Sequence, residues 1–127
     1  MKKRKILIID DDIDFSEIVK ISLESTGLYK VETEADPENA SMTVHRFSPD
    51  LILLDVIMPN KEGPDVVMEF KNDPLVRNIP VVFLTATVTQ REVEEEDGII
   101  GGHPFVAKPS SFESLLKAID KNLIAAV

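Results

Sequence analysis

Four places in this 127-residue sequence hold side chains suited to joint chemistry: Asp10-Asp11-Asp12, Asp55, Thr85 and Lys108. Gathered at one point, three carboxylates repel and raise one another's pKa. A divalent cation resolves that repulsion. Hard oxygen donors in an incomplete cage suit Mg²⁺, which takes one or two carboxylates and keeps several waters. Lys108 adds a fixed positive charge and Thr85 a hydroxyl donor. A cation, an ammonium and a hydroxyl around one carboxylate can neutralise the equatorial oxygens of a transferring phosphoryl group. The carboxylate supplies the nucleophile, and the product is an acyl phosphate. Singly, each residue has a plainer use. The first acidic run can cap a helix, a job expected of Asp12 or Asp14. Asp55 can open a turn before Met58-Pro59, Thr85 can be an ordinary strand residue, and Lys108 a solvated lysine. The chemical reading requires a fold that brings all four together.

The elements that could do so are legible in the hydrophobic pattern. Residues 6–9, 51–54 and 81–84 are apolar throughout, as in strands of a parallel sheet covered on both faces. Residues 30–34 alternate, with Val31 and Thr33 against Glu32 and Glu34, and residues 105–107 form a very short run. These two read as edge strands. Helical spacing fills the gaps. Phe15, Ile18, Val19 and Leu23 share a face, with Gly27 as a stop. Asp36-Pro37 starts a helix carrying Ala40, Val44 and Phe47. Gly63-Pro64 starts another with Val66, Val67 and Phe70, and residues 89–97 give a fourth, mostly charged. Ser110 and Glu113 suit a capping box for the last helix, whose stripe is Phe112, Leu115, Leu116, Ile119 and Leu123.

The order is β-α five times, which implies parallel strands with right-handed crossovers. The expected fold is α/β, a (βα)5 doubly wound, flavodoxin-like domain whose five-stranded sheet runs 2-1-3-4-5. In it the chain winds away from strand 1 in both directions and leaves a crevice at the strand C-terminal ends. Strands 1, 3, 4 and 5 end there at Asp10, Asp55, Thr85 and Lys108. Strands 1 and 3 are neighbours, so Asp10, Asp11 and Asp55 should converge.

Composition sets the outer limits. Residues 1–127 fit one domain with a core of its own. With 43% hydrophobic and 29% charged residues the balance is globular. The absence of cysteine excludes disulfides, thiolate zinc sites and thiol catalysis, and suits the cytoplasm. After the basic opening Met-Lys-Lys-Arg-Lys, the apolar run is too short for a secretory signal, which needs about 7–15 residues. No stretch is long enough to span a membrane. A net charge of −9 disfavours direct binding to nucleic acid.

The sequence resembles receiver domains of two-component response regulators over essentially its full length. The matching stretches are Lys5-Ile6-Leu7-Ile8-Ile9-Asp10-Asp11-Asp12, Pro49-Asp50-Leu51-Ile52-Leu53-Leu54-Asp55-Val56-Ile57-Met58-Pro59 with Gly63 closing the loop, Pro80-Val81-Val82-Phe83-Leu84-Thr85-Ala86, and Gly101-Gly102-His103-Pro104-Phe105-Val106-Ala107-Lys108-Pro109. The resemblance implies roles by position. Asp55 matches the phosphoacceptor. Asp11, Asp55 and the backbone carbonyl of Ile57 match direct Mg²⁺ ligands, and Asp10 the acidic residue that holds the metal mainly through water. Lys108 matches the lysine that pairs with the carboxylate and then with phosphoryl oxygens, before a proline bond that is usually cis. Thr85 matches the switch hydroxyl and Phe105 the switch aromatic. The implied donor is a sensor histidine kinase or a histidine phosphotransfer protein. The implied output is a downstream protein on the face of helix 4, strand 5 and helix 5.

Some positions depart from the common pattern. Phe105 lacks the hydroxyl of the tyrosine found in many relatives. Gly102 stands where alanine is common, and Pro104 stiffens the start of strand 5. Glu92, Glu94, Glu95, Glu96 and Asp97 make the fourth helix acidic, read as a solvated face. Nothing near His45 or His103 suggests a phosphohistidine. Ile57 and Thr87 border the path of the attacking water in the family, and an apolar Ile57 cannot orient water, so slow self-dephosphorylation is expected. Three other readings compete. A haloacid dehalogenase-type phosphatase would use Asp10 as nucleophile, but Asp14 stands where that motif wants Thr or Val. A receiver-like scaffold that is never phosphorylated would not need the complete acidic set. Flavin binding lacks a phosphate-cradling loop after strand 1.

Overall fold

A computed structural model describes residues 2–86, 99–100, 103–108 and 111–125, with backbone alone at 99, 100, 103 and 125. The strands are β1 (Arg4–Ile9), β2 (Tyr29–Glu34), β3 (Leu51–Asp55), β4 (Val81–Thr85), β5 (Ile99–Ile100) and β6 (His103–Ala107). The helices are α1 (Ile13–Glu24), α2 (Ala40–Phe47), α3 (Gly63–Lys71) and α4 (Phe112–Ala125), with a 3-10 turn at Pro37–Asn39.

The sheet order is β2-β1-β3-β4-β6-β5. The first five of these pair in parallel, Ile9 beside Leu54, Asp55 beside Leu84 and Thr85 beside Ala107. This is the expected 2-1-3-4-5 arrangement, β6 being the fifth parallel strand. Two details differ. That strand begins at His103 instead of Phe105, and Ile99–Ile100 adds a two-residue antiparallel edge. Two β-branched residues have strand propensity, but so short a run carries no periodicity to read.

Alternation along the central strands divides the core in two. Ile6, Ile8, Leu51, Leu53, Val82, Leu84 and Val106 face α1 and α4, meeting Val19, Leu23, Leu115, Ile119 and Leu123. Leu7, Ile9, Ile52, Leu54 and Phe83 face α2 and α3, meeting Ala40, Val44, Phe47, Val66 and Phe70. Burial on both faces is why β1 and β3 are apolar at every core position. Fully burying one such side chain stabilises the fold by about 1.5–3 kcal/mol. The two sides together hold the strand ends in fixed register.

Helix α1 corrects one expectation. Ile18 is 65% exposed, and Ser16 is buried in its stead beside Val19 and Leu23. Spacings of three and four from Ser16 define the covered face, and α1 also has isoleucines on its outer face. Phe112, expected on the last helix's apolar stripe, is 38% exposed. Asp12 caps α1 by accepting Phe15 N–H at 3.1 Å, as one expectation had it. Asp36 accepts Glu38 N–H at 2.9 Å and starts the 3-10 turn ahead of α2. At α4, Ser111 Oγ accepts Ser114 N–H at 3.1 Å. The expected cap Ser110, the helix at residues 89–97, Thr87, Gly102 and Pro109 lie outside the described residues.

Candidate functional site

Four strands deliver polar residues to one edge. Asp10 directly follows β1, and its N–H still donates to Glu34 O of β2 at 3.1 Å. Its side chain is folded under the start of α1, where Asp12 N–H donates to Asp10 Oδ1 at 2.9 Å. Asp55 is the last residue of β3, and Val56 N–H continues the ladder to Leu84 O at 3.0 Å. Thr85 ends β4, and its carbonyl accepts Lys108 N–H at 2.8 Å, one residue past β6. Asp10, Asp55 and Thr85 are all at most 5% exposed, whereas Asp11 is exposed.

Gly63 makes the close packing behind Asp55 possible. A β-carbon there would lie 2.6 Å from Asp55 O and 3.0 Å from Val56 Cα. Both neighbours are backbone and cannot swing away, so only glycine lets α3 begin this close to β3.

The carboxylate oxygens of Asp10, Asp11 and Asp55 lie within 4.8 Å of one another. Lys108 Nζ sits 2.8 Å from Asp10 Oδ2, 3.7 Å from Asp55 Oδ2 and 4.0 Å from Asp12 Oδ2. It also donates to Asp10 Oδ1 at 3.0 Å and rests 4.8 Å from the centre of the Phe15 ring. Burial pushes the Asp55 carboxyl up to about 7, helped by the charge of Asp10 and opposed by Lys108. Burial works against the Lys108 ammonium, yet its hydrogen bond to Asp10 and the charges of Asp10, Asp55 and Asp12 hold its pKa above the ordinary lysine value. Among the described residues the Lys108 ammonium therefore meets three carboxylates, and Asp11 adds a fourth beside Asp10 and Asp55.

That imbalance fits a divalent cation. The donors are all hard oxygens, and Asp10 Oδ2 is buried without a hydrogen bond despite its proximity to Lys108. A buried carboxylate beside two more, with a single ammonium to offset them, is a position a hard cation satisfies.

The expected residues thus fall into two groups. Asp10, Asp11, Asp55 and Lys108 meet directly, and Thr85 stands at the adjoining strand end. Ile57 and Phe105 make up the second group. Ile57 is in the loop after β3 with a 57% exposed side chain. The partly buried Phe105 packs against Phe83, ring centres 5.1 Å apart and planes tilted by 33°. His45 serves elsewhere, its Nε2 lying 2.5 Å from Asp73 Oδ2. Phe15 was missed as a site residue. Its place on the α1 stripe marked it as core, although its position in the first turn beside the acidic run was a usable signal.

Comparison with known proteins agrees with this geometry. The profile described as "Response regulator receiver domain" matches residues 6–120. Among curated relatives, the phosphate regulon transcriptional regulatory protein PhoB of Escherichia coli is 35% identical over 120 residues, covering 91% of this chain and 50% of its own. The DNA-binding dual master transcriptional regulator RpaA of Synechocystis is 34% identical, covering 91% and 47%. The chain spans about half the length of these curated relatives. Among solved structures, chemotaxis protein CheY4 of Vibrio cholerae superposes with a TM-score of 0.79 at 28% identity, covering 95% of this chain and 99% of its own. The N-terminal domain of a response regulator receiver protein from Methanoculleus marisnigri gives 0.68 at 31% identity, covering 92% and 94%. With its parallel order, its acidic strand edge and a family match over nearly the whole length, the chain belongs to the receiver domains of two-component response regulators.

Proposed function

We propose that Asp55 accepts a phosphoryl group from the phosphohistidine of a sensor histidine kinase or histidine phosphotransfer protein. The observation that carries this reading is the buried Asp55 carboxylate at a strand end, with Asp10 and Asp11 beside it and Lys108 Nζ at 3.7 Å. An Asp55 oxygen attacks phosphorus, the P–N bond to imidazole breaks, and an acyl phosphate forms. Mg²⁺, when bound, offsets the carboxylate charge and neutralises phosphoryl oxygens. Asp10, Asp11, Asp55 and the Ile57 carbonyl would hold it. Lys108 pairs with a second phosphoryl oxygen, and the Thr85 hydroxyl donates to a third. Modification adds about −1.5 to −2 charge units at Asp55. Thr85 and Phe105 form the two-state element that responds. The output surface is the face built by the predicted fourth helix, β6 and α4.

The domain is a signalling component of residues 1–127, distinct from a classical enzyme, and we place it in the cytoplasm. Among the described residues, no helix is long and apolar enough to cross a membrane. PhoB and RpaA are regulators by name, RpaA DNA-binding. They do not support the expectation that nucleic acid is not a partner. That expectation rests on the charge of −9 and concerns this chain alone. The family match supports Asp55 over the phosphatase reading with Asp10 as nucleophile. Ile57, apolar and exposed, supports slow self-dephosphorylation. Phosphate loss accelerated in Ile57→Asn would support it, and rapid loss unchanged by that substitution would sink it.

The test is treatment with acetyl phosphate or BeF₃⁻, with and without Mg²⁺, on wild type and Asp55→Asn. Mg²⁺-dependent modification of wild type alone is expected. Modification persisting in Asp55→Asn would overturn the assignment, and none in wild type would favour the unphosphorylated scaffold.

A further inference from the structure

The loop after Asp55 is held by a cation that the phosphoacceptor chemistry does not use. Residues 56–62 leave β3 and return at Gly63, whose N–H donates to Val56 O at 2.8 Å. Met58 is buried and anchors the middle of the loop. Asn60 adopts a left-handed conformation, φ 70°, and Lys61 N–H donates to Pro59 O at 2.8 Å. The chain doubles back there, and the Lys61 side chain is left only 19% exposed. Its ammonium pairs with Glu69 of α3 and, at 3.5 Å, with Glu38 of the 3-10 turn. Glu69 Oε1 also accepts the Ser41 hydroxyl of α2 at 3.5 Å. The hydrogen bond to Glu69 raises the Lys61 pKa, so the ammonium is charged throughout the neutral range.

An isolated surface pair would add little. Lys61 is different in position: it is largely covered, it contacts two carboxylates on separate elements, and it belongs to the irregular segment that carries Ile57. We infer that Lys61 is a positioning residue that, through Glu69 and Glu38, fixes the loop after Asp55 and so sets the affinity of the strand-edge carboxylates for Mg²⁺. This rests on the reading of Asp10, Asp11, Asp55 and the Ile57 carbonyl as the Mg²⁺ ligands. The clamp acts on the loop and leaves the carboxylates themselves unchanged.

The test is Mg²⁺ titration of wild type, Lys61→Gln, Lys61→Arg and Glu69→Gln, followed by amide NMR shifts and by the thermal-unfolding temperature. Lys61→Gln should raise the half-saturating Mg²⁺ concentration about tenfold, the scale of losing a group that orients a metal ligand. Lys61→Arg should recover part of the loss, and Glu69→Gln should move in the same direction as Lys61→Gln. Metal-free unfolding temperatures should stay close to wild type. A folded Lys61→Gln that binds Mg²⁺ as wild type does overturns the inference. If Lys61→Gln does not fold, the double change Glu38→Gln with Glu69→Gln carries the same expectation and the same overturning result. A wild type that binds no Mg²⁺ overturns the ligand reading and the clamp with it. A binding wild type with unaltered variants overturns the clamp alone.

Discussion

The two ends of the sheet use the same pieces to opposite effect. At the N-terminal edge, Lys5 Nζ lies 5.4 Å from the centre of the Phe47 ring and donates to Phe47 O at 3.1 Å. Lys5 N–H donates to Asp50 Oδ2 at 2.7 Å, and Arg4 approaches the same oxygen at 3.7 Å. At the C-terminal edge, Lys108 rests over Phe15 and meets Asp10, Asp55 and Asp12. Both ends place a lysine on an aromatic face, a contact worth about 0.5–1 kcal/mol where water has access. They differ in balance. Arg4 and the Lys5 backbone N–H serve one half-exposed aspartate at the first edge, and that arrangement is satisfied as it stands. One cation meets three carboxylates at the second, two of them buried, and Asp11 adds a fourth beside them. A stabilising cluster leaves little for a ligand to improve, whereas an under-compensated one gains by binding a cation.

Breaking Lys108 should separate the two ends most sharply. Lys108→Ala should slow Mg²⁺-dependent phosphorylation by about 10²-fold or more, as expected for removing a group aimed at developing charge. Phosphorylation timed with acetyl phosphate checks this, and a rate near that of wild type would place the catalytic charge elsewhere.

A smaller effect comes from the raised Asp55 pKa. In metal-free protein Asp55 titrates at about 7, well above the carboxyl in an unfolded chain. Between those values the folded state binds the extra proton, so this group's contribution to stability falls as pH rises through 7. Asp55→Asn should therefore unfold at a higher temperature than wild type at pH 8, by a few degrees, with the gap shrinking below pH 7 and closing near pH 4. A gap independent of pH would count against the titration.

The smallest effect belongs to the balanced end. Asp50→Ala removes one hydrogen bond to Lys5 and should cost about 1 kcal/mol, a fall of about 3 °C in unfolding temperature. Phosphorylation should be unchanged, and a large fall in its rate would show that the two ends are coupled.

How much of this was legible beforehand follows from burial. The strands β1, β3 and β4 are apolar on both faces, so no alternation had to be interpreted and their ends could be placed at Asp10, Asp55 and Thr85. From those ends and the strand order the acidic cluster followed. Ile18 was misassigned because Ile13, Ile18 and Ile21 all lie on the outer face of α1 while Ser16 lies on the covered one, and hydrophobicity alone does not say which face meets the sheet. The role of Phe15 was hidden because ring-to-ammonium contact depends on where a partner 93 positions away ends up. Lys61 was invisible for a related reason: its partners lie on two elements, and its course depends on the left-handed turn at Asn60.

The most direct test of the unbalanced strand edge is to locate the phosphoryl group. Wild type phosphorylated in Mg²⁺ can be reduced with borohydride, which converts an acyl phosphate to a stable alcohol, and the marked residue found by peptide mass mapping. The predicted result is a single mark on Asp55, absent without Mg²⁺. A mark on Asp10, or one that forms equally well without Mg²⁺, would contradict the account.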